Sequence, residues 1–125
     1  MTDDKVIHRE LSYQVMKAVF EVHNALGPGF LESLYEEALA HELEPRNITF
    51  ERQKAFTVSY KDRVVGTHRL DLVIDGKIAL ELKAVSSLTD VFKQQTLSYL
   101  RAADLRLGIL INFGASRVES TRIVN

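Results

Sequence analysis

The chain contains no cysteine. Disulfides and thiolate-bound metals are therefore excluded, and the composition fits a reducing compartment, so a cytoplasmic setting is expected. It has no apolar run near the roughly 20 residues that a membrane-spanning helix needs, and no membrane partner is expected. Its charges show no excess of either sign: 16 Lys and Arg stand against 17 Asp and Glu, for a net charge of -1 and a pI near 6.4. A protein that coats nucleic acid without regard to sequence is usually far more basic, so that class is disfavoured. No Pro-, Gly- or Ser-rich linker, low-complexity tract or internal repeat interrupts the chain. The 125 residues read as one domain, 1–125, long enough for a single core. The opening Met1-Thr-Asp-Asp-Lys5 is polar and acidic, so no secretory leader is expected.

What the chain does have is periodicity. Leu11, Val15, Ala18, Val19, Val22 and Leu26 recur at helical spacing and predict an amphipathic helix over about 8–26, stopped by Gly27-Pro28-Gly29. Phe30, Leu31, Leu34, Leu39 and Leu43 mark a second helix ending near Pro45-Arg46-Asn47. Residues 48–60, rich in Thr, Phe and Val, read as a strand. Lys61-Asp62-Arg63 turns the chain into the first of two long hairpin arms, 64–74 and 77–85. Thr89 or Ser87 caps a third helix over about 90–103. Residues 106–113 are nearly all apolar, as in a strand buried on both faces, and Gly114-Ala115-Ser116 leads to a last strand near 118–123. The expected fold is α/β (α+β), a mixed sheet flanked by helices on both faces in the order ααβββαβ(β).

The hairpin carries the chemistry. Leu70, Leu72, Ile74, Ile78, Leu80, Leu82 and Ala84 all fall on even positions and would line one face. A two-residue loop at Asp75-Gly76 would pair Ile74 with Lys77 and divide that apolar set between faces. A three-residue loop with Gly76 in the left-handed region keeps the parity, so that loop is predicted. Asp71 then shares the opposite face with Glu81 and Lys83. Two carboxylates and an amine can hold a hard divalent cation beside an activated water, which points to metal-assisted hydrolysis, first of all of a phosphodiester. Taken alone, the same residues also describe a solvated polar face with Lys83 in a salt bridge to Glu81 or Asp71. Val73 and Ala79 share that face, so it suits a sheet covered on both sides with a polar pocket cut into one.

Three motifs together resemble the PD-(D/E)xK nuclease superfamily. They are Asp71 in one strand with Glu81-Leu82-Lys83 in the next, Gly29-Phe-Leu-Glu32-Ser-Leu-Tyr35 at the second helix, and Gln95-Thr-Leu-Ser-Tyr99 on the third. The second is similar to the signature of the GxxExxY family of small prokaryotic proteins, and the third to the Gln-xxx-Tyr motif of RecB-like members. One departure is that Leu70, not proline, precedes Asp71. The resemblance implies a restriction-endonuclease-like core and Mg²⁺- or Mn²⁺-dependent hydrolysis of nucleic acid, DNA in the first place, with metal ions supplying the positive charge that the chain lacks. It implies Asp71, Glu81, the Leu82 carbonyl and Glu32 as metal ligands. Lys83 would position water or stabilise developing charge; as a base it would need its pKa lowered, which nearby carboxylates oppose.

Several residues have two readings. Glu32 and Tyr35, three apart, share a helix face. Glu32 is either a metal ligand or a first-turn glutamate favoured by the helix dipole. Tyr35 is either at the pocket rim, against substrate, or packed in the core. Gln95 and Tyr99 are either substrate contacts or a buried polar pair. Arg69, on the Asp71 face, is either a phosphate contact or a surface residue. The four histidines show no metal-ligand spacing. The competing reading of the whole is a catalytically silent nuclease-fold module that binds nucleic acid or a protein. A homodimer paired through the last strand would compensate for the small surface of one domain.

Overall fold

The computed structural model describes residues 7–125; the polar opening Met1–Lys5 lies outside the described residues. Helix α1 (Arg9–Leu26) buries Ser12, Val15, Ala18, Val19, Val22 and His23, a repeat of three and four that forms one stripe. It ends where predicted. Gly27 and Gly29 take positive φ (69° and 113°), a region that glycine enters without a Cβ penalty. Helix α2 (Glu32–Leu43) begins two residues later than the apolar pattern implied, with exposed Leu31 as its N-cap. A short 3-10 turn (Glu44–Arg46) carries Pro45, and Asn47 closes it in the left-handed region.

Strands β1 (Phe50–Tyr60), β2 (Arg63–Ile74) and β3 (Ile78–Lys83) follow, then helix α3 (Asp90–Ala103) and strands β4 (Leu107–Asn112) and β5 (Glu119–Val124). They form one five-stranded sheet in the order β1-β2-β3-β4-β5. All neighbours are antiparallel except β3 and β4, whose parallel pairing is made possible by the α3 crossover. Thr89 is the N-cap residue of α3, but only its carbonyl engages the helix; the hydroxyl makes no capping bond. No described helix is long and apolar enough to cross a membrane.

The loop Asp75-Gly76-Lys77 has three residues, as expected. Asp75 and Gly76 are both left-handed (φ 52° and 65°), and Ile74 pairs with Ile78. Leu72, Ile74, Ile78, Leu80 and Leu82 accordingly join Ile109, Ile111 and Phe113 in the core under α1 and α2. Leu70 departs from the predicted parity. It packs with Val73, Ala79 and Leu100 in the smaller core under α3. The strand therefore rolls over between Leu70 and Leu72, at Asp71. Opposite, in β1, Gln53 has φ 50° while Arg52 and Lys54 on either side keep their pairing to Leu72 and Leu70. A positive φ at a non-glycine inside a strand is unusual and costly, of order 1–3 kcal/mol, and marks this as a shaped position.

Candidate active site

The β2–β3 ladder stops at the pair Leu72–Leu80. One step further, where Asp71 faces Glu81, the carboxylates replace main-chain partners. The Leu82 N–H donates to Asp71 Oδ2 (2.8 Å), and the Asp71 N–H reaches Glu81 Oε1 at 3.4 Å. The strands thus fork around two acids. The Lys83 carbonyl accepts from the Phe113 N–H on the β4 side (2.8 Å). Leu82, one residue before, turns both its N–H and its carbonyl the other way, into the fork, since the two groups of a strand residue share a side.

The fork opens into a cleft of about 600 Å³ lined by Glu32, Gln53, Thr67, His68, Arg69, Asp71, Glu81, Lys83 and Tyr99. A cavity of about 700 Å³ between α1 and the β4–β5 edge is larger, but its lining has one carboxylate, Glu10, and no convergence of acids. Glu81 is buried and Asp71 half-buried. Burial and the Asp71 charge push the Glu81 pKa up to about 8. Asp71 is raised by burial and by the Glu36 charge, against the Leu82 N–H, Gln53 and Lys83, which all favour its ionised form. Glu32, the first residue of α2, is raised by burial, opposed by Lys83 and reinforced by Asp71. Tyr99 is raised by burial and by both carboxylates.

Lys83 makes no ion pair within 4 Å among the described residues; its Nζ lies 4.9 Å from the centre of the Phe92 ring. The salt bridge to Glu81 or Asp71 that the residues alone would suggest is absent there. Among the described residues no three His, Asp or Glu side chains are grouped to hold a metal ion. Glu32, exposed at the end of its helix, lines the cleft with Asp71 and Glu81 without being grouped with them in this way.

Two residues named from the motifs lie elsewhere. Tyr35 is fully buried, stacked on Phe113 at 4.6 Å, with its hydroxyl donating to the Gly27 carbonyl and accepting from the Phe30 N–H. It fastens the α1–α2 turn and does not reach the cleft, which corrects its reading as a substrate contact. Its shared helix face with Glu32 gives way at the terminus, where Glu32 reaches outward while the ring turns into the core. Gln95 is exposed and outside the cleft lining, whereas Tyr99 lines it, stacked on His68 at 4.0 Å. Arg69 is exposed at the rim, its guanidinium 3.3 Å from the Gln53 carbonyl.

Other residues were missed. Buried Glu36, one turn after Glu32, accepts from Arg52 Nε (3.0 Å) and Gln53 Nε2 (2.6 Å), and Gln53 Nε2 lies 3.4 Å from Asp71 Oδ1. This chain of polar contacts ties α2 to the strained position in β1 and to Asp71. Glu36 had a sequence signal, its i,i+4 spacing from Glu32. Gln53 had none.

The fold and the site define a restriction-endonuclease-like protein. The family model of the PD-(D/E)XK nuclease superfamily matches residues 9–123, and the chain belongs to that superfamily. Among solved structures it is similar to SSO0001, with 18% identity and a TM-score of 0.54 over 92% of this chain and 77% of that one, a likeness of fold. No curated protein matches the chain significantly.

Proposed function

We propose that the chain is a metal-dependent nuclease that hydrolyses phosphodiester bonds, in DNA ahead of RNA. Membership of the superfamily supports nuclease chemistry in general. The observation that carries the specific reading is the fork itself, with Asp71 and Glu81 facing each other in a cleft and Lys83 beside them but not paired to either. Mg²⁺ or Mn²⁺ fits this donor set. Hard ions of this kind take oxygen ligands and are commonly held by one or two carboxylates, the rest of their shell being water and substrate phosphate. Asp71, Glu81 and the Leu82 carbonyl would hold the ion, and Glu32 would act through a water. When bound, the ion supplies Lewis acidity and charge neutralisation at the phosphate.

The protein side of the mechanism follows from the residues. Lys83, held over Phe92, presents its ammonium to the attacking water and to the charge that develops on phosphate oxygens. It acts by position and charge. Arg69 and Tyr99, at the rim, contact the substrate backbone. Within the superfamily we assign the chain to the GxxExxY group on Gly29, Glu32 and Tyr35. Strand β5 pairs with β4 alone among the described residues, and its free edge supports a dimer that sets two clefts along one duplex.

The test is cleavage of labelled single-stranded, duplex and branched DNA and of RNA with Mg²⁺ or Mn²⁺, comparing wild type with Glu81→Ala and Lys83→Ala. Metal-dependent cleavage lost in both variants is the expected result. Metal binding that requires Glu81 without any cleavage would leave a nuclease-fold binding module, and the absence of both would end the nuclease reading.

A further inference from the structure

Strand β2 pairs with β3 only from Leu72 to Ile74, but with β1 all the way to Arg63. Beyond Leu70 the two strands run on as a two-stranded ribbon, about 20 Å long at the rise of a strand. Its residues, 55–69, are exposed except Phe56 and His68, which lean on Tyr99 of α3. A two-stranded ribbon is marginal by itself in water. Length maintained in such an element points to something that the ribbon touches.

Its charge says what. Lys61, Arg63 and Arg69 make no ion pair among the described residues, and Asp62 is the single acid between 55 and 69, so the ribbon is net positive on a chain that is net negative. By contrast, Arg52 and Lys54, nearer the body, are neutralised by Glu36, Glu37 and Glu51. The ribbon is also continuous with the cleft, because Thr67, His68 and Arg69 at its base line the pocket. At its tip Tyr60, Val64 and Val65 are each 63% exposed, an amphipathic surface between the cations. The major groove of B-DNA, about 12 Å wide, admits a two-stranded ribbon, and phosphates repeat about every 3.4 Å along a strand.

We propose that the 55–69 ribbon is a grip for duplex DNA. It lies along the groove next to the cleft, with Lys61 and Arg63 on backbone phosphates about six base pairs from the bond to be cut. The inference rests on the nuclease reading of the cleft for its purpose, but not for its test. Fluorescence anisotropy of a labelled 20-base-pair duplex in EDTA reads binding without hydrolysis. Lys61→Ala/Arg63→Ala is expected to weaken affinity about tenfold and to reduce the slope of log affinity against log salt by about two, near 0.9 for each phosphate no longer neutralised. Lys17→Ala/Lys77→Ala, which removes the same charge elsewhere, should bind within about twofold of wild type. Equal affinity of wild type and the ribbon variant would overturn the proposal, as would no duplex binding at all or tighter binding of a single strand. Weaker binding that coincides with conversion of a dimer to a monomer in sedimentation would also overturn it, in favour of a ribbon that joins two copies. Mn²⁺-dependent hydrolysis of bis(p-nitrophenyl) phosphate by wild type and Glu81→Gln judges the cleft separately.

Discussion

Two polar clusters sit side by side at the same end of the sheet and behave in opposite ways. In the first, Asn112, opposite Lys83 in β4, is fully buried and satisfied. Its Oδ1 accepts from the N–H groups of Val85 and Gly114, and its Nδ2 donates to the Val85 carbonyl and to Glu119 Oε1, all at 2.9 Å. Glu119 also accepts from the Leu88 N–H (3.0 Å), so the cluster secures the connection from β3 to α3. Gly114 belongs to it sterically, since a Cβ there would lie 2.4 Å from the Val85 backbone. In the second cluster, half-buried Asp71 and buried Glu81 face each other with few donors, and both are shifted toward their protonated forms. A buried polar group that is fully bonded holds a fold together, while one left electrostatically uncomfortable is kept for a ligand.

The sharpest break of this contrast is Glu81→Gln. Hydrolysis should fall at least a thousandfold in a steady-state cleavage assay, while the metal-free melting temperature stays level or rises, because glutamine resembles the neutral carboxyl that the fold favours and cannot ionise. A stability loss in that variant would mean that the acid pair is structural. Asn112→Ala should do the reverse of Glu81→Gln to the fold. It leaves several buried partners unpaired, and urea unfolding should show a loss of roughly 3 kcal/mol.

The pH dependence separates the clusters further. The carboxyls of the fork have pKa values above those of the unfolded chain, so the fold binds more protons than the unfolded state does. That contribution is fully present below the unfolded value near 4.5 and is lost as pH rises through about 8, where Glu81 must ionise beside Asp71. Metal-free protein should therefore melt at progressively lower temperature between pH 5 and pH 9, and Glu81→Gln should flatten that slope. With saturating Mg²⁺ the decline should shrink, and calorimetry in buffers of different ionisation enthalpy should detect proton release on metal binding. The smallest effect is expected from Tyr35→Phe. Loss of the hydrogen bonds at the Gly27–Phe30 turn should cost about 1 kcal/mol in thermal unfolding, with kcat within about twofold of wild type because the ring does not reach the cleft. A large fall in kcat at unchanged stability would return Tyr35 to the site.

Much of this was written locally. The spacing of Val15, Ala18, Val19 and Val22 set α1, Gly27-Pro28-Gly29 ended it, and the parity of Leu72 to Leu82 required the three-residue loop at Asp75-Gly76 that brings Asp71 opposite Glu81. Periodicity and turn chemistry are properties of short stretches, so they are legible in a chain read by itself. The tertiary structure decided what depends on neighbours distant in sequence. The roll-over that separates Leu70 from Leu72 arises where β1 and β2 meet at Gln53 and Asp71. Tyr35 went to the core because Phe113, far along the chain, offered it a stacking partner. Glu36 became a support of the site only once Arg52 and Gln53 were brought against it. The same local pattern is compatible with a polar face or a cleft; Glu32 of α2 and Tyr99 of α3, both distant in sequence, supply the walls that make it a cleft.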